Sequence, residues 1–320
     1  MRTNRMVSFR PFLNGDITDL IRIWNDHGPD SGLVTDLSVD LFDRLVLSKP
    51  YFNRQGLIAA VEDNRVIGFV HVGFGPNADE TDLDFHLGIV SMLLVHADCT
   101  DPSIADELLK RGEQYLRDRG AQEIVAAGFD TACPFYLGLY GGSQLPGILE
   151  SDIRRRDFFT NSGYQSVGRI ALSKCDLNTL HVGFDRDVLR LRRSVRIDYL
   201  PDPKSRSWWD ACTQGFLPQL QVTATRTDSE TLVASATFWD MQSLLASDGP
   251  RTMGLSKIEA SDTEQDFSVV RYLLLESFRY LQQQEIAFVQ TQADEEDEPT
   301  KELFQAVGLK NFDVGLILKK

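Results

Sequence analysis

The stretch "LLVHADCTDPSIADELLKRG", residues 93–112, combines features that could bind an anion. An apolar run stops at a polar turn, and a helix is expected to begin near Ser103 or Ile104. A helix N-terminus points several backbone N–H groups at one place and is a common phosphate-binding site. The turn contains no glycine, lysine or arginine, so binding there would depend on backbone amides.

The segments around this turn predict the elements that would position it. Asp63-Asn64 is a turn-forming pair between two apolar runs, Ser38 is a plausible helix N-cap, and Gly120 lies where glycine often ends a helix. The first half is therefore predicted to contain strands 7–12, 57–62, 66–73, 86–95, 123–128 and 164–174, and helices 15–27, 38–48, 103–119 and 151–162.

The second half repeats much of this pattern. Tyr115 matches Tyr280 at an offset of 165 residues, whereas Gly163 matches Gly308 at an offset of 145. A duplicated unit with a 20-residue insertion in the first copy explains both offsets. The second half is predicted to contain strands near 195–200, 219–226, 231–239, 252–259, 285–291 and 312–318, and helices near 204–214, 267–283 and 299–307.

The insertion is placed at residues 131–151, which are rich in Gly, Pro and aromatic residues, as expected for an ordered functional loop. Strands and helices that do not strictly alternate indicate an α+β or mixed-sheet α/β fold. We expect two domains, residues 1–180 and 190–320, with the boundary near 178–190.

This order of elements resembles the GNAT superfamily of N-acyltransferases. "VHAD" looks like the Val-His-Pro-Asp strand end of that family, and "FFTNSGY" looks like its Phe-Tyr-x-x-x-Gly-Phe segment. Both halves are covered, so the resemblance implies two tandem GNAT-like domains, each a twisted mixed sheet flanked by helices. It also implies acetyl-CoA as co-substrate, bound at a splayed strand end and at the loop before the next helix.

The resemblance assigns residues to this cofactor site. The family loop has the form Arg/Gln-x-x-Gly-x-Gly/Ala, and Thr100, Ser103 and Ala105 fall at its three defined positions. The backbone of the loop and of the preceding strand would bind coenzyme A. The cofactor-binding residues implied in this way are Leu93, Leu94, Val95, Thr100, Asp101, Ser103, Ile104, Ala105 and Asp106.

The chain departs from the family pattern in both copies. Phe159, and Phe304 in the second copy, occupy the position where many members have a Tyr general acid. In the second loop Gln265 conforms, but it is flanked by two acidic residues that would repel phosphate, and Val270 is bulky. We therefore expect the first copy to bind the cofactor. Self-capping of the first loop by Asp101 and Asp106, with no ligand, is the alternative.

Three residues are candidates for catalysis. Tyr136 and Tyr140 of the insertion could line the acceptor pocket or replace the missing acid, although aromatic packing explains them equally well. His96 could act as a base near the splayed strand, although a lone strand His is more often structural. Residues 154–156, three consecutive arginines, could meet a phosphate, but a solvated helix start is the simpler interpretation.

Composition limits the classes of partner. A formal net charge of −14 argues against binding of nucleic acid and is compatible with binding of a cationic amine substrate. No apolar stretch approaches membrane-spanning length, and the four cysteines, none close to another in sequence, fit a reducing cytosol. We expect a cytoplasmic protein that needs no metal and contacts no membrane; a homodimer remains open.

The sequence therefore predicts an N-acetyltransferase that moves an acetyl group from acetyl-CoA to a primary amine of a small molecule or peptide. The alternative is a non-catalytic GNAT-like protein that senses a ligand or binds a partner.

Overall fold

The first half of the chain forms the elements that its sequence pattern predicts. The computed structural model describes residues 6–27, 32–130, 132–180, 186–244, 249–261 and 267–320. The first-half strands are β1 (Ser8–Pro11), β2 (Leu57–Glu62), β3 (Arg65–Pro76), β4 (Leu83–Val95), β5 (Glu123–Ala126), β6 (Ile148–Leu149) and β7 (Gln165–Asp176). The first-half helices are α1 (Ile17–Asn25), α2 (Val39–Phe42), α3 (Ser103–Asp118) and α4 (Ile153–Asn161).

The second half has the same arrangement, with α5 (Arg186–Ser194) as one helix beyond the three predicted there. Its strands are β8 (Val195–Pro201), β9 (Gln219–Arg226), β10 (Leu232–Asp240), β11 (Thr252–Ala260), β12 (Phe288–Asp294) and β13 (Lys310–Lys319). Its helices are α5 (Arg186–Ser194), α6 (Trp208–Thr213), α7 (Phe267–Gln283) and α8 (Glu298–Ala306). Helix α5 begins inside the segment we predicted to be a domain boundary; residues 181–185 of that segment lie outside the described residues.

Local sequence signals explain several of these ends. Asp63 and Asn64 both adopt positive φ, 49° and 62°, as the tight turn between β2 and β3 requires. The Ser38 side chain accepts a hydrogen bond from Leu41 N, which confirms it as the N-cap of α2. Gly120 follows α3 with φ 106°, a conformation that glycine adopts at low cost.

Within the described residues, thirteen strands form one sheet in which the halves exchange their closing strands. The order is β1-β2-β3-β4-β5-β13-β7-β12-β11-β10-β9-β8, and β6 pairs beside β13. Strand β13, near the C-terminal end of the chain, therefore completes the first half next to β5. Strand β7 completes the second half next to β12. Each half therefore receives its closing strand from the other half, and the ranges 1–180 and 190–320 stay a prediction.

The exchanged strands meet at a local two-fold axis. Strands β7 and β13 are antiparallel, and Ile170 lies opposite Gly315, which is the residue 145 positions later. That is the repeat offset between Gly163 and Gly308, so at this point of the ladder two equivalent residues face each other. The repeat in the sequence therefore corresponds to two structural copies related by rotation.

Two buried apolar clusters lie on opposite faces of the first-half sheet. Helices α3 and α4 cover one face of the first half, with Leu93, Ile104 and Phe159 in one buried cluster. A second cluster on the opposite face joins Trp24 of α1 to Trp239 of β10, so it extends across both halves. This shared apolar burial favours a fixed arrangement of the two copies.

Candidate functional site

The candidate site lies where β4 separates from β5. The parallel pairing of these strands ends at Val90 and Ala126. Residues 92–95 continue to pair with β3. On their other side these residues have no strand partner among the described parts of the chain. Strand β4 therefore presents an unpaired edge just before the loop that leads to α3.

A β-bulge marks the point of separation. The register between β3 and β4 shifts at His71 and Val72, which places Ser91 in the bulge. Ser91 is buried, and its Oγ has no hydrogen-bond partner. Bulges change the direction of backbone groups and are frequent next to active sites. This position is therefore the centre of the candidate site.

The loop at residues 96–102 caps its own helix. Asp101 Oδ1 accepts hydrogen bonds from the Ser103 backbone N–H at 3.0 Å and from Ser103 Oγ at 2.7 Å. These bonds hold the pKa of Asp101 below its usual range. Pro102, at the N-cap, has no N–H to offer. A carboxylate therefore lies at the helix N-terminus where an external anion would bind.

The surface next to the loop is mostly acidic. A depression of about 510 Å³ is lined by residues of β1, the loop and the first turns of α3. It contains the carboxylates of Asp101, Asp106 and Glu107 but a single cation, Lys110. Of the residues that the resemblance assigns to the cofactor, Ser103, Ile104 and Asp106 line it together with Asp101. Phosphate binding there would work against this negative charge.

The strand end after Val95 is occupied by two histidines. His27 Nε2 lies 3.0 Å from the Val95 carbonyl oxygen, and burial is the main reason that the pKa of His27 is lowered. His96 Nδ1 accepts from Asp98 N at 3.2 Å, so its Nε2 carries the proton toward Asp26 Oδ2, 3.1 Å away. Both ring nitrogens of His96 are therefore engaged by neighbouring groups of the protein.

The structure places Tyr136 deep in the shared core. Its ring stacks on Trp24 with centroids 5.6 Å apart, and its hydroxyl lies 2.9 Å from His71 Nδ1. Burial raises the pKa of Tyr136 and lowers the pKa of His71 to about 3. Both groups are therefore neutral near pH 7, and both are shielded from solvent.

Tyr140 is buried elsewhere in the insertion. Its hydroxyl accepts from Leu149 N at 2.8 Å and lies 3.4 Å from Asp152 Oδ2. The Arg155 guanidinium lies 4.8 Å from the centre of its ring. Tyr140 thus anchors the return of the insertion to α4, and its catalytic role stays a prediction.

Arg155 differs from the solvated helix start that we expected for residues 154–156. Its side chain is buried, and Nη1 lies 3.2 Å from Asp152 Oδ2 outside hydrogen-bonding geometry. Nη2 has no hydrogen-bond partner. The spacing of apolar residues in the sequence gives no signal for this buried cation.

Phe159 lies one helical turn after Arg155 and is buried against other aromatic rings. Its ring contacts Phe158 and Tyr164, with centroids 5.4 and 5.1 Å away. The Tyr164 hydroxyl donates to Glu113 Oε1 at 3.1 Å. In the described residues of α4, therefore, no tyrosine replaces the hydroxyl that Phe159 lacks.

The insertion reaches across to the second half. We call residues 141–146 the inserted tip. Trp239 Nε1 donates to the Ser143 carbonyl oxygen at 3.0 Å, and Gln292 Nε2 donates to the Leu145 carbonyl oxygen at 3.2 Å. Ser143 and Leu145 are both buried. The tip is therefore held by β10 and β12 as well as by its own half, where Gly141 N donates to the Gly32 carbonyl oxygen at 3.1 Å.

Gln144, at the centre of the tip, binds β11. Its Nε2 donates to the carbonyl oxygens of Leu255 and Ser256, at 3.1 and 3.0 Å. The register between β10 and β11 shifts at this point and places Ser256 in a bulge. Ser256 follows Ser91 by 165 residues, the offset of the repeat. The tip thus contacts the second copy of the candidate site.

A cavity of about 840 Å³ lies between the insertion and the second half. Its walls come from the β3–β4 turn, the insertion, α6 and strands β9 to β11, and neither Tyr136 nor Tyr140 lines it. Its size is that of small-molecule sites in proteins. Among the charged residues of its wall are Glu80, Asp130, Asp202, Asp210, Glu259, Lys204, Arg206 and Lys257.

Two further features bear on the class of site. The described residues contain no group of three or more His, Cys, Asp or Glu side chains arranged to hold a metal ion. Along the same ranges, none of the helices has the length and apolar content that crossing a bilayer requires.

Comparison with known proteins agrees with this geometry. Residues 20–139 match the family model of the acetyltransferase (GNAT) family. No curated protein matches the sequence. The matched segment contains β2 to β5, α3 and the first part of the insertion. This segment of the first half is therefore similar to a GNAT-family domain.

Solved structures extend the similarity to the whole chain. A tandem GNAT protein from the clavulanic acid biosynthesis pathway superposes with a TM-score of 0.68 at 11% identity, covering 98% of both chains. A GCN5-related N-acetyltransferase from Sphaerobacter thermophilus gives 0.61 at 14% identity, covering 98% of this chain and 95% of the other. The chain therefore has a fold similar to that of tandem GNAT proteins, as the resemblance in the sequence implied.

A third structure contains a GCN5-related glucosamine N-acetyltransferase region within a fungal multi-domain GH3 β-N-acetylglucosaminidase. It superposes with a TM-score of 0.71 at 14% identity over 100% of this chain. The present chain spans 38% of the length of that protein. At such identities the similarity concerns the fold.

Proposed function

We propose that the protein is an acyl-CoA-dependent N-acyltransferase that moves an acetyl group from acetyl-CoA to a primary amine. The observation that carries the proposal is the unpaired edge of β4 between Ser91 and Val95, next to the N-terminus of α3. An extended ligand with amide groups can add to such an edge by backbone hydrogen bonds, as a peptide adds to an open sheet edge. The pantetheine arm of coenzyme A is a ligand of this kind.

The proposed binding residues are those of the strand end and loop. The backbones of Leu93, Leu94 and Val95 would bond the pantetheine amides, and the pyrophosphate would lie toward α3. Displacing the Asp101 carboxylate from Ser103 would release backbone donors for it. The loop residues proposed to contact the phosphates are Thr100, Asp101, Ser103, Ile104, Ala105 and Asp106.

The reaction requires few side chains. The neutral amine attacks the thioester carbonyl, a C–N bond forms, the C–S bond breaks, and the amine proton is lost to a base. Backbone N–H groups at the bulge could stabilise the oxyanion. A thiol ionises near pH 8.5, so the thiolate is a tolerable leaving group where Phe159 supplies no acid. The catalytic roles of Tyr136, Tyr140 and His96 stay predictions, because each has its polar atoms engaged within the protein.

Thermal unfolding with acetyl-CoA tests the proposal. Saturating acetyl-CoA should raise the Tm by several degrees, since a ligand at about 100 times its Kd adds roughly 2.7 kcal/mol of stability. Ser103→Glu should abolish this rise, and the equivalent substitution Ser268→Glu in α7 should leave it unchanged. Absence of any rise in the wild-type protein would rule out the proposal.

A product assay then identifies the acceptor. Acetylated amine is detected by mass spectrometry and free coenzyme A by its thiol. The similarity to a glucosamine N-acetyltransferase region makes glucosamine the first amine to assay.

A second candidate function is ligand binding without turnover. The cavity of about 840 Å³ beside the second half favours it, because it provides a ligand-sized site away from the edge of β4. Acetyl-CoA binding without coenzyme A release from any amine pool would support this second function over the first.

A further inference from the structure

The second half contains an equivalent of the β4 edge. Strands β11 and β12 pair from Thr252 and Phe288, each 165 residues after the first-half pair Leu87 and Glu123. This backbone pairing ends at Gly254, beyond which β11 pairs with β10 alone among the described strands, and the Thr291 hydroxyl of β12 donates to the Leu255 carbonyl oxygen at 3.0 Å. The second copy is therefore splayed like the first.

The difference between the copies is what fills the gap. Gln144 of the inserted tip donates to two successive carbonyl oxygens of β11 on the splayed side, at 3.1 and 3.0 Å. An amide of a pantetheine arm would donate to the same row of strand carbonyls. In the first half, the side chain at the end of β4 comes from the same half: His27 Nε2 lies 3.0 Å from the Val95 carbonyl oxygen.

Glycine at one position makes room for the tip. A Cβ added at Gly254 would lie 2.6 Å from Trp239 Nε1 and 2.7 Å from the Ser143 Cβ. The equivalent first-half residue, 165 positions earlier, is Ile89, a buried branched side chain. The second copy thus has no side chain at the position where the first copy's insertion enters.

We propose that the inserted tip permanently occupies the pantetheine position of the second half, with the Gln144 carboxamide in place of a pantetheine amide. The second half is consequently closed to acyl-CoA, and each chain binds one acyl-CoA, in the first half. The location of that one site rests on the proposed function; the occupation of the second site does not.

The covalent connection of the inserted tip to the protein favours binding of the tip over binding of a free ligand. A segment held next to its site by covalent connection has an effective concentration in the millimolar range or above. The tip also makes the bonds from Trp239 and Gln292, so several contacts must break together before a ligand enters. Acyl-CoA at ordinary concentrations should not displace it.

Hydrogen exchange of the intact chain tests this proposal, read by mass spectrometry with and without acetyl-CoA. Backbone amides in peptides covering 252–260 should exchange at the same rate with and without acetyl-CoA. Exchange in peptides covering 91–106 should become slower when acetyl-CoA is present. Slower exchange of 252–260 with acetyl-CoA would overturn the proposal. An unchanged exchange rate in peptides covering 91–106 would count only against acyl-CoA binding in the first half. Occupation of the second-half site is tested separately by substitutions of Gln144.

The variant that separates these outcomes is Gln144→Glu. It keeps the shape of the side chain but replaces the donor with a carboxylate facing two carbonyl oxygens, so exchange at 141–146 and 252–260 should rise at least tenfold. Gln144→Ala should give a smaller rise. The control Gln305→Glu, on the exposed face of α8, should change neither segment. Wild-type rates in both Gln144 variants would overturn the proposal.

Discussion

Trp239 donates its indole N–H to the carbonyl oxygen of Ser143, so the core of the second half binds an inserted segment of the first. Both residues are buried. A backbone carbonyl that is buried without a donor costs about 1–3 kcal/mol. The bond therefore ties the position of the tip to the packing of β10.

Gly254→Ala should disturb this contact directly. The added methyl would lie closer than 3.0 Å to both Trp239 and Ser143, neither of which can move without breaking their bond. We expect a loss of about 1–3 kcal/mol in the free energy of unfolding, as for other overpacked sites. Urea unfolding measures it. Gly15→Ala, where an added Cβ meets nothing within 4 Å, is the control, and equal effects would contradict the expectation.

Asp101→Asn should strengthen acetyl-CoA binding. Asparagine keeps an oxygen that can accept from Ser103 N but removes the negative charge from the helix N-terminus. Because exposed charges are screened, we expect a modest gain in affinity, about two- to fivefold, that shrinks at high salt. Calorimetric titration measures the Kd. Asp118→Asn, at the other end of α3, should have no such effect; weaker binding by Asp101→Asn would count against this placement of the pyrophosphate.

His71 should make stability depend on acidity. Burial lowers its pKa to about 3 in the folded protein, below the ordinary value of 6.5 in the unfolded chain. The unfolded state therefore binds the extra proton first, and stability falls as the pH drops from 6.5 toward 3, by up to about 1.4 kcal/mol per pH unit. Urea unfolding at pH 4.5, 5.5 and 6.5 should show a shallower slope in His71→Gln. The exposed His86→Gln is the control for removing a histidine, and an unchanged slope in His71→Gln would contradict the assignment.

Tyr136→Phe separates a structural from a catalytic role. Removing the hydroxyl leaves His71 Nδ1 buried without its partner, which should cost about 1–3 kcal/mol of stability. Because the hydroxyl is shielded from solvent, we expect kcat for acetyl transfer to change less than threefold. A general acid would instead lose about 10²–10⁴ in rate. Steady-state assays decide between these results, with Tyr199→Phe as a control for loss of a weaker tyrosine hydrogen bond.

Much of the fold could be predicted because its signals are local. Ser38, Asp63 and Gly120 determine chain direction through their own backbone and side chains, and they lie where the sequence predicted. The repeat offset of 165, taken from Tyr115 and Tyr280, also relates the strand registers of the two halves.

The partners of the closing strands could not be predicted. Strands β7 and β13 are equivalent in the repeat, so their apolar pattern fits either sheet equally well. The sheet that each of these two strands joins is determined by the packing of the whole chain. The contacts of the site could not be predicted either, because they join distant parts of the sequence. Gln144 donates to carbonyl oxygens more than a hundred residues away, and Arg155 is buried by elements outside its own helix.

The exchange of β7 and β13 has a consequence for how the chain is made. During synthesis β5 leaves the ribosome long before β13, the strand that must pair with it. Until then the first half has an incomplete sheet with an open edge, and such edges attract other chains. The newly made first half therefore depends on prompt completion or on chaperones, and ribosome stalling within the second half should leave both halves unfinished together.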